Sequence, residues 1–233
     1  MQAVILAGGK GTRLEPLTAE IPKPLVTVGD RPIIEILLRR MQRCGVKKVY
    51  LAVNHLAHLI RSVVDDGRAY GLDVAYSHEK EPLSTVGPIR LIDNLPQAFL
   101  VANGDILTDL DFRELYAAHD RSRALVTVAT HTRRNRVDYG VLEVTESGAV
   151  CGFREKPSED LTVSMGIYVF SRTVLEYVPP DEPFGFDDLM LRLLAEKLPI
   201  STFPYSGYWL DIGRPQDYDQ AQRDIERVRT LLD

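Results

Sequence analysis

A short apolar run at the start of the chain leads into Leu6-Ala7-Gly8-Gly9-Lys10-Gly11-Thr12-Arg13-Leu14. Glycines there let the backbone curl and bring its N–H groups close to an anion. Arg13 adds a charged fork suited to phosphate oxygens. Downstream, Pro22-Lys23-Pro24 holds a lysine between two residues of locked φ. Together these residues read as a grip on a polyphosphate. The spacing is not the G-x-x-x-x-G-K-[ST] loop, and Leu14 stands where a G-x-G-x-x-G fingerprint needs its third glycine. The glycines alone would also suit an ordinary tight turn; Arg13 and Lys23 are what such a turn does not need.

Two aspartates extend the pattern. Asp105 follows an apolar run and Asn103-Gly104, and Asp211 follows Trp209-Leu210. Carboxylates opposite a phosphate loop suit Mg²⁺, which takes one or two of them plus phosphate oxygens and water. Each alone equally suits a turn. Glu155-Lys156-Pro157 reads as a solvated turn, or as a rigid loop with one group on a sugar hydroxyl and one on a phosphate. Arg133, Arg134 and Arg136 read as a solvated loop between strands. His55 and His58 lack a third metal ligand nearby and read as an exposed helix start. Cys44 and Cys151 read as reduced thiols. No Ser-His-Asp or Cys-His set stands out.

The elements that must position these residues alternate in the first half. Strands are expected at Ala3–Leu6, Lys48–Ala52, Val74–Ser77 and Ala98–Asn103, and helices at Pro32–Arg43, Leu56–Asp66, Gly87–Leu95 and Phe112–His119. Continuous apolar strands between helices imply a parallel sheet covered on both faces. The second half has strands at Ala124–His131, Tyr139–Val144, Val163–Phe170, Ile200–Phe203 and Tyr208–Asp211, and a helix at Phe186–Glu196. A last helix from Pro215 carries one apolar stripe of Tyr218, Ala221, Ile225, Val228 and Leu232. With 233 residues, 45% of them hydrophobic, the chain suits one large α/β domain: a nucleotide-binding half to about residue 105, then a substrate half. A net charge of −5 argues against nucleic acid but not against a small anion bound by local arginines. No apolar run is long enough to span a bilayer, and no charged n-region precedes the first one, so a cytoplasmic protein is expected.

The motifs already quoted, with Pro16-Leu17-Thr18, Tyr139-Gly140-Val141, Gly166-Ile167-Tyr168 and Trp209-Leu210-Asp211-Ile212-Gly213, run in order through nearly the whole chain. The set resembles the sugar-1-phosphate nucleotidylyltransferases. That resemblance implies a Rossmann-like mixed, mostly parallel sheet with helices on both faces. It implies transfer of a nucleotidyl group from an NTP to a sugar 1-phosphate, releasing pyrophosphate, with Mg²⁺ as cofactor. It implies that Leu6, Ala7, Gly8, Gly9, Gly11, Thr12 and Asn103 bind the nucleotide, and that Arg13 and Lys23 serve the phosphates. Asp105 and Asp211 would hold the metal. The segment from Glu79 to Gly87, with Thr85, falls where the family reads the base. Gly140, Glu155, Lys156, Ser164 and Gly166 fall to the sugar phosphate.

Two departures bear on specificity. Many relatives carry Asn-Ala-Gly where this chain has Ser164-Met165-Gly166. Pro82-Leu83-Ser84-Thr85-Val86-Gly87-Pro88 is similar to the mannose-1-phosphate guanylyltransferase version, with Ser84 in place of a glycine, which favours GTP. The stretch is less like the thymidylyl and cytidylyl versions, while heptose 1-phosphate guanylyltransferases and short uridylyltransferases for amino sugars are also similar; a uridylyl-, thymidylyl- or cytidylyltransferase for another sugar 1-phosphate is the alternative. The expectation is a core without the β-helix domain of longer relatives, and, since members of the family commonly associate, a homo-oligomer. Two other readings are a catalytically silent sugar-nucleotide-binding subunit and a glycosyltransferase. Asp109-Leu110-Asp111 has the letters of a glycosyltransferase metal motif but reads as a helix start.

Overall fold

Residues 3–6 are apolar, and alternate side chains serve opposite faces of the strand that they form with Gln2. In the computed structural model, which describes residues 1–230, this strand lies inside the main sheet, parallel to a neighbour on each side. In chain order the strands and helices are β1 (Gln2–Leu6), β2 (Thr27–Val28), β3 (Arg31–Pro32), α1 (Ile33–Arg43), β4 (Lys48–Val53), α2 (Ala57–Val64), β5 (Asp73–His78), β6 (Ala98–Asn103), β7 (Ile106–Thr108) and α3 (Phe112–Ser122). There follow β8 (Val126–Arg136), β9 (Val141–Val144), β10 (Val150–Arg154), β11 (Ser158–Ser171), α4 (Phe186–Ala195), β12 (Ile200–Tyr205), β13 (Trp209–Asp211), α5 (Pro215–Arg223) and α6 (Ile225–Thr230).

Seven strands form one sheet in the order β12-β8-β11-β6-β1-β4-β5. Strands β5, β4, β1 and β6 run parallel, and β11 is antiparallel to both β6 and β8. The sheet is therefore mixed and mostly parallel in its first half, and it runs without a break through both halves of the chain. Ala3 and Ile5 face a core built with α1, α2 and α3. Val4 faces a second core, with Phe99 and Phe170 in edge contact at 6.0 Å and Leu189 and Leu193 of α4. A third cluster lies off the sheet and gathers Leu14, Val28, Ile33, Leu107, Ile212, Ala221 and Val228. It fastens the glycine loop, β7, β13 and the last helices to the buried face of α1.

The structure corrects several expectations. The segment Arg133 to Arg136 is not a loop but the outer half of β8, paired residue for residue with β11. Arg134 donates to Asp160 at 2.8 Å, so its charge has a neighbour on the same ladder. The helix expected at Gly87–Leu95 is a 3₁₀ turn over Gly87–Leu91. Ile92 is already extended and Asn94 takes φ 62°, which ends any helical path. The terminal helix breaks at Asp224, where Gln220 donates to the carboxylate at 2.8 Å. The break seats Ile225 against the Gly29 turn, while Gln222 donates to the Thr27 carbonyl at 3.0 Å. Leu232 lies outside the described residues. The short strands β2, β3, β7 and β10 have no counterpart in the sequence expectation.

His119 of α3 is buried between Thr127 Oγ1 at 2.9 Å and Ser171 Oγ at 3.0 Å. Burial pulls its pKa below the ordinary histidine value. The neutral ring therefore stabilises the fold above the unfolded value of about 6.5, and this contribution is lost as the pH falls below it. Thermal melts between about pH 7.5 and 5.5 should show wild-type protein losing more stability than His119→Gln. Parallel losses in the two proteins would contradict this assignment.

Candidate functional site

Ligands in open α/β sheets lie beyond the carboxyl ends of the strands, where the strand order reverses. Here β4 and β5 lie to one side of β1 and β6 to the other. A cleft of about 540 Å³ opens at those strand ends. It is lined by Leu6 to Arg13, by Lys23, by Ala52, Asn54 and His55 after β4, by Glu79 after β5, and by Asn103 to Asp105 after β6. Pro82, Ser84, Thr85 and Pro88 form a further wall, and Gly213 closes the cleft from the far end of the chain.

The glycine loop is pinned at both ends. Ala7 N–H donates to the Ala52 carbonyl at 2.8 Å, and Leu14 N–H to the Gly11 carbonyl at 2.9 Å. Leu14 is fully buried. Between them, the N–H groups of Gly8, Gly9, Gly11 and Thr12 donate to no acceptor among the described residues. A loop with unspent donors next to Arg13 and Lys23 suits an anion. Gly8 also allows a close approach: a Cβ there would lie 2.6 Å from Glu79 Oε1. The other Glu79 oxygen accepts from Leu83 N–H at 2.8 Å. Burial raises the pKa of this carboxyl, the Leu83 N–H opposing.

Behind the loop stand two carboxylates. Gly104 N–H donates to the Leu6 carbonyl at 2.9 Å, which ties Asp105 to the end of β1. Strand β7 then pairs antiparallel with β13, setting Asp211 opposite Ile106, and Ile212 N–H donates to the Asp105 carbonyl at 3.1 Å. Lys23 Nζ sits between the two side chains. It donates to Asp105 Oδ2 and lies 3.9 Å from Asp211 Oδ1. Asp105 Oδ1 and Asp211 Oδ1 are both buried without a hydrogen-bond partner, although the Asp211 side chain as a whole is 44% exposed. Burial, then the neighbouring Asp105, pushes the Asp211 carboxyl above its usual range, with Lys23 and Arg13 opposing.

This donor set fits one divalent cation. Two orphaned carboxylate oxygens face a position that a lysine ammonium already compensates. No group of three or more His, Cys, Asp or Glu side chains is gathered among the described residues. A hard ion held by two carboxylates would complete its shell with water and phosphate oxygens, as Mg²⁺ prefers.

The structure gathers Leu6, Ala7, Gly8, Gly9, Gly11, Thr12, Arg13, Lys23, Glu79, Thr85, Asn103 and Asp105 around the cleft. Asp211 stands just behind that lining, against Lys23. Gly87 lies in the supporting layer, its N–H donating to the Phe184 carbonyl at 3.0 Å. Gly166 takes φ +69°, and a Cβ there would lie 2.6 Å from Asn103 Nδ2, so it backs the cleft through Asn103. Ser164 Oγ accepts from Gly166 N–H at 3.2 Å and donates to Tyr168 OH, also at 3.2 Å. Gly140, Glu155 and Lys156 are exposed and lie off the cleft lining, beside the β9–β10 hairpin. Lys10, Asn54, His55 and Ser84 line the cleft without having been singled out as nucleotide ligands. His55 had a usable signal, because it follows the carboxyl end of a parallel strand.

Comparison with known proteins places these features in context. Residues 2–228 match the family model described as Nucleotidyl transferase. The chain is 33% identical to a UTP–glucose-1-phosphate uridylyltransferase of Synechocystis over 97% of its own length and 63% of the relative's. It is 33% identical to the mannose-1-phosphate guanylyltransferase catalytic subunit beta of Drosophila pseudoobscura, over 93% of its length and 60% of the relative's. It thus spans somewhat under two thirds of these curated relatives. Among solved structures, HddC from Yersinia pseudotuberculosis complexed with GMP-PN superposes with a TM-score of 0.73 at 27% identity, covering 96% of this chain and 98% of that one. A putative glucose-1-phosphate thymidylyltransferase from Bacillus anthracis, 21% identical, shares the fold with a TM-score of 0.75 over 96% of this chain and 94% of that one.

Lys23 and Asp105 are both largely buried, at 11% and 17% side-chain exposure. Removing the ammonium leaves two close carboxylates uncompensated. Lys23→Met should therefore destabilise the protein by roughly 3 kcal/mol in chelator. Millimolar Mg²⁺ should restore much of the loss, read as a melting temperature with and without metal. A loss that Mg²⁺ does not relieve would show that the carboxylates do not take the ion.

Proposed function

The chain belongs to the sugar-1-phosphate nucleotidylyltransferase family, and on that premise we propose that it joins an NTP to a sugar 1-phosphate with release of pyrophosphate. The observation that carries this reading is the meeting of Lys23, Asp105 and Asp211 at the base of a glycine loop with unspent donors. A phosphate oxygen of the sugar 1-phosphate attacks the α-phosphorus. The new P–O bond forms in line as the bond from the α-phosphorus to the bridging oxygen breaks, and that oxygen leaves with pyrophosphate. The attacking oxygen is already anionic, so no protein nucleophile or strong base is required. What the protein supplies is alignment and cations. The loop N–H groups hold the triphosphate, Arg13 compensates charge on the departing pyrophosphate, and Lys23 stands by the phosphates. Asp105 and Asp211 would hold Mg²⁺, which when bound neutralises phosphate charge and orients the phosphate oxygens. Gly140, Glu155, Lys156, Ser164 and Gly166 take the sugar-phosphate side, with Glu155 on sugar hydroxyls.

GTP is the favoured nucleotide. A carboxylate is an acceptor only. Glu79 spends one oxygen on Leu83 N–H and keeps the other beside Gly8 in the cleft. Guanine presents N–H donors at neighbouring positions of its pairing edge, which suits such an acceptor. Mannose 1-phosphate or a similar hexose or heptose 1-phosphate is the favoured sugar substrate, a reading supported by the likeness of residues 82–88 to the version in guanylyltransferases for mannose 1-phosphate.

The test is pyrophosphate release from a panel of NTPs against hexose and heptose 1-phosphates. GTP with mannose 1-phosphate should be the preferred pair, and no acceptor glycan should be needed. Arg13→Ala should lower kcat on the order of 10²–10³-fold. Glu79→Gln should narrow the margin between GTP and UTP. Undiminished activity in Arg13→Ala would remove the phosphate-loop assignment, and nucleotide binding without turnover would favour a silent binding subunit.

A further inference from the structure

The two metal-facing aspartates are brought together by a very short ladder. Strand β13 offers only Trp209, Leu210 and Asp211 to Thr108, Leu107 and Ile106 of β7. Three rungs hold a register weakly. A slip of one residue would turn Asp211 to the opposite face, because side chains alternate along a strand. The register is backed from outside the ladder, by the apolar cluster that holds Leu107 and Ile212 and by the residues that surround Asp109.

Asp109 Oδ1 accepts from Tyr208 N–H at 2.6 Å and from the Tyr205 hydroxyl. Its Oδ2 faces Arg227 Nη2 of α6 at 3.4 Å. Asp109 N–H donates back to the Tyr208 carbonyl at 3.2 Å, and Thr108 Oγ1 donates to that same carbonyl at 2.8 Å. Tyr208 immediately precedes β13, so Asp109 grips the ladder at its open end. On the other side, Arg40 of α1 donates to the Asp109 and Leu110 carbonyls. Arg227 lies over the Tyr208 ring at 4.7 Å from its centroid. Gly207 leaves room for this arrangement, since a Cβ there would lie 2.7 Å from Asp109 Oδ1. Trp209 Nε1, which donates to the Met165 carbonyl at 2.9 Å, is a second and separate tie.

We propose that Asp109 is a positioning residue for the divalent-cation site: by binding the Tyr205–Tyr208 turn it sets the register of β13 and with it the distance of Asp211 from Asp105. The inference rests on the reading of Asp105 and Asp211 as metal ligands. Asp109 itself touches no substrate; it acts through the Tyr208 backbone, in the way that outer partners orient metal-binding side chains. The aspartate letters at Asp109 and Asp111 thus have separate tasks, because Asp111 caps α3 by accepting from Arg113 N–H at 2.9 Å.

The test measures Mn²⁺ bound by the whole chain, by electron paramagnetic resonance of the free ion, without nucleotide. Asp109→Ala should weaken Mn²⁺ binding about tenfold and raise the Mg²⁺ needed for half-maximal turnover by a similar factor. Asp109→Asn keeps an oxygen for Tyr208 N–H and the Tyr205 hydroxyl, and should stay within about threefold of wild type. Tyr205→Phe removes one donor, should show an intermediate loss, and serves if Asp109→Ala does not fold. Ile89→Ala, in the core on the other face of the sheet, supplies a control of lowered stability and should leave Mn²⁺ affinity unchanged. Wild-type affinity in both Asp109→Ala and Tyr205→Phe, or an equal loss in Ile89→Ala, would overturn the positioning role. A wild-type protein that binds no Mn²⁺ would instead overturn the metal-site reading beneath it.

Discussion

Two carboxylates set close together, one largely buried and one half-buried, are costly to keep charged without a cation beside them. This demand on Asp105 and Asp211 organises the functional end of the molecule. Lys23 meets it in the structure, held in place by flanking prolines and a 3₁₀ turn. The unpartnered Oδ1 atoms show that a single ammonium leaves coordinating capacity unused. A triphosphate with its metal would bring both the missing positive charge and an anion for Lys23 to meet. The same three side chains therefore suit an empty site and a loaded one.

The fold supplies the convergence in layers. The parallel strands β1, β4, β5 and β6 end together, so loops far apart in sequence open onto one cleft. The antiparallel strand β11 then carries the chain back past β6, and Gly166 brings it against Asn103 without a side chain in the way. The third apolar cluster is small but decisive. It binds Leu14 of the glycine loop, Leu107 of β7 and Ile212 after β13 into one packed group. Arg13, Asp105 and Asp211 are thereby placed by neighbours that are themselves buried.

Much of this was legible in the residues. The apolar strands and their helices showed as periodicity, and the glycine loop, Lys23 and Asp105 showed as residue types with no role in a plain turn. Other features were hidden for physical reasons. Strand β7 has three residues, too few for a period, and its pairing with β13, which was expected as Tyr208–Asp211, is non-local. Arg133 to Arg136 resembled a loop because they are charged, yet they extend an edge of paired backbone whose side chains all reach solvent. The last helix kept its apolar stripe through Val228 while its axis broke at Asp224, since spacing alone does not record a kink. Gly140 and Glu155 come from separate motifs, and no local spacing shows that the fold brings them together, so that a Cβ on Gly140 would lie 3.4 Å from Glu155 Oε2.

The central claim is that one divalent ion sits between Asp105 and Asp211 while the glycine loop holds its nucleotide. Anomalous scattering from Mn²⁺ in crystals grown with a non-hydrolysable GTP analogue measures this most directly. The account predicts a single peak about 2.1 Å from an oxygen of each aspartate and from the phosphates, with Lys23 drawn off Asp105. A peak bound to phosphates alone, with Lys23 still paired to Asp105, would contradict it.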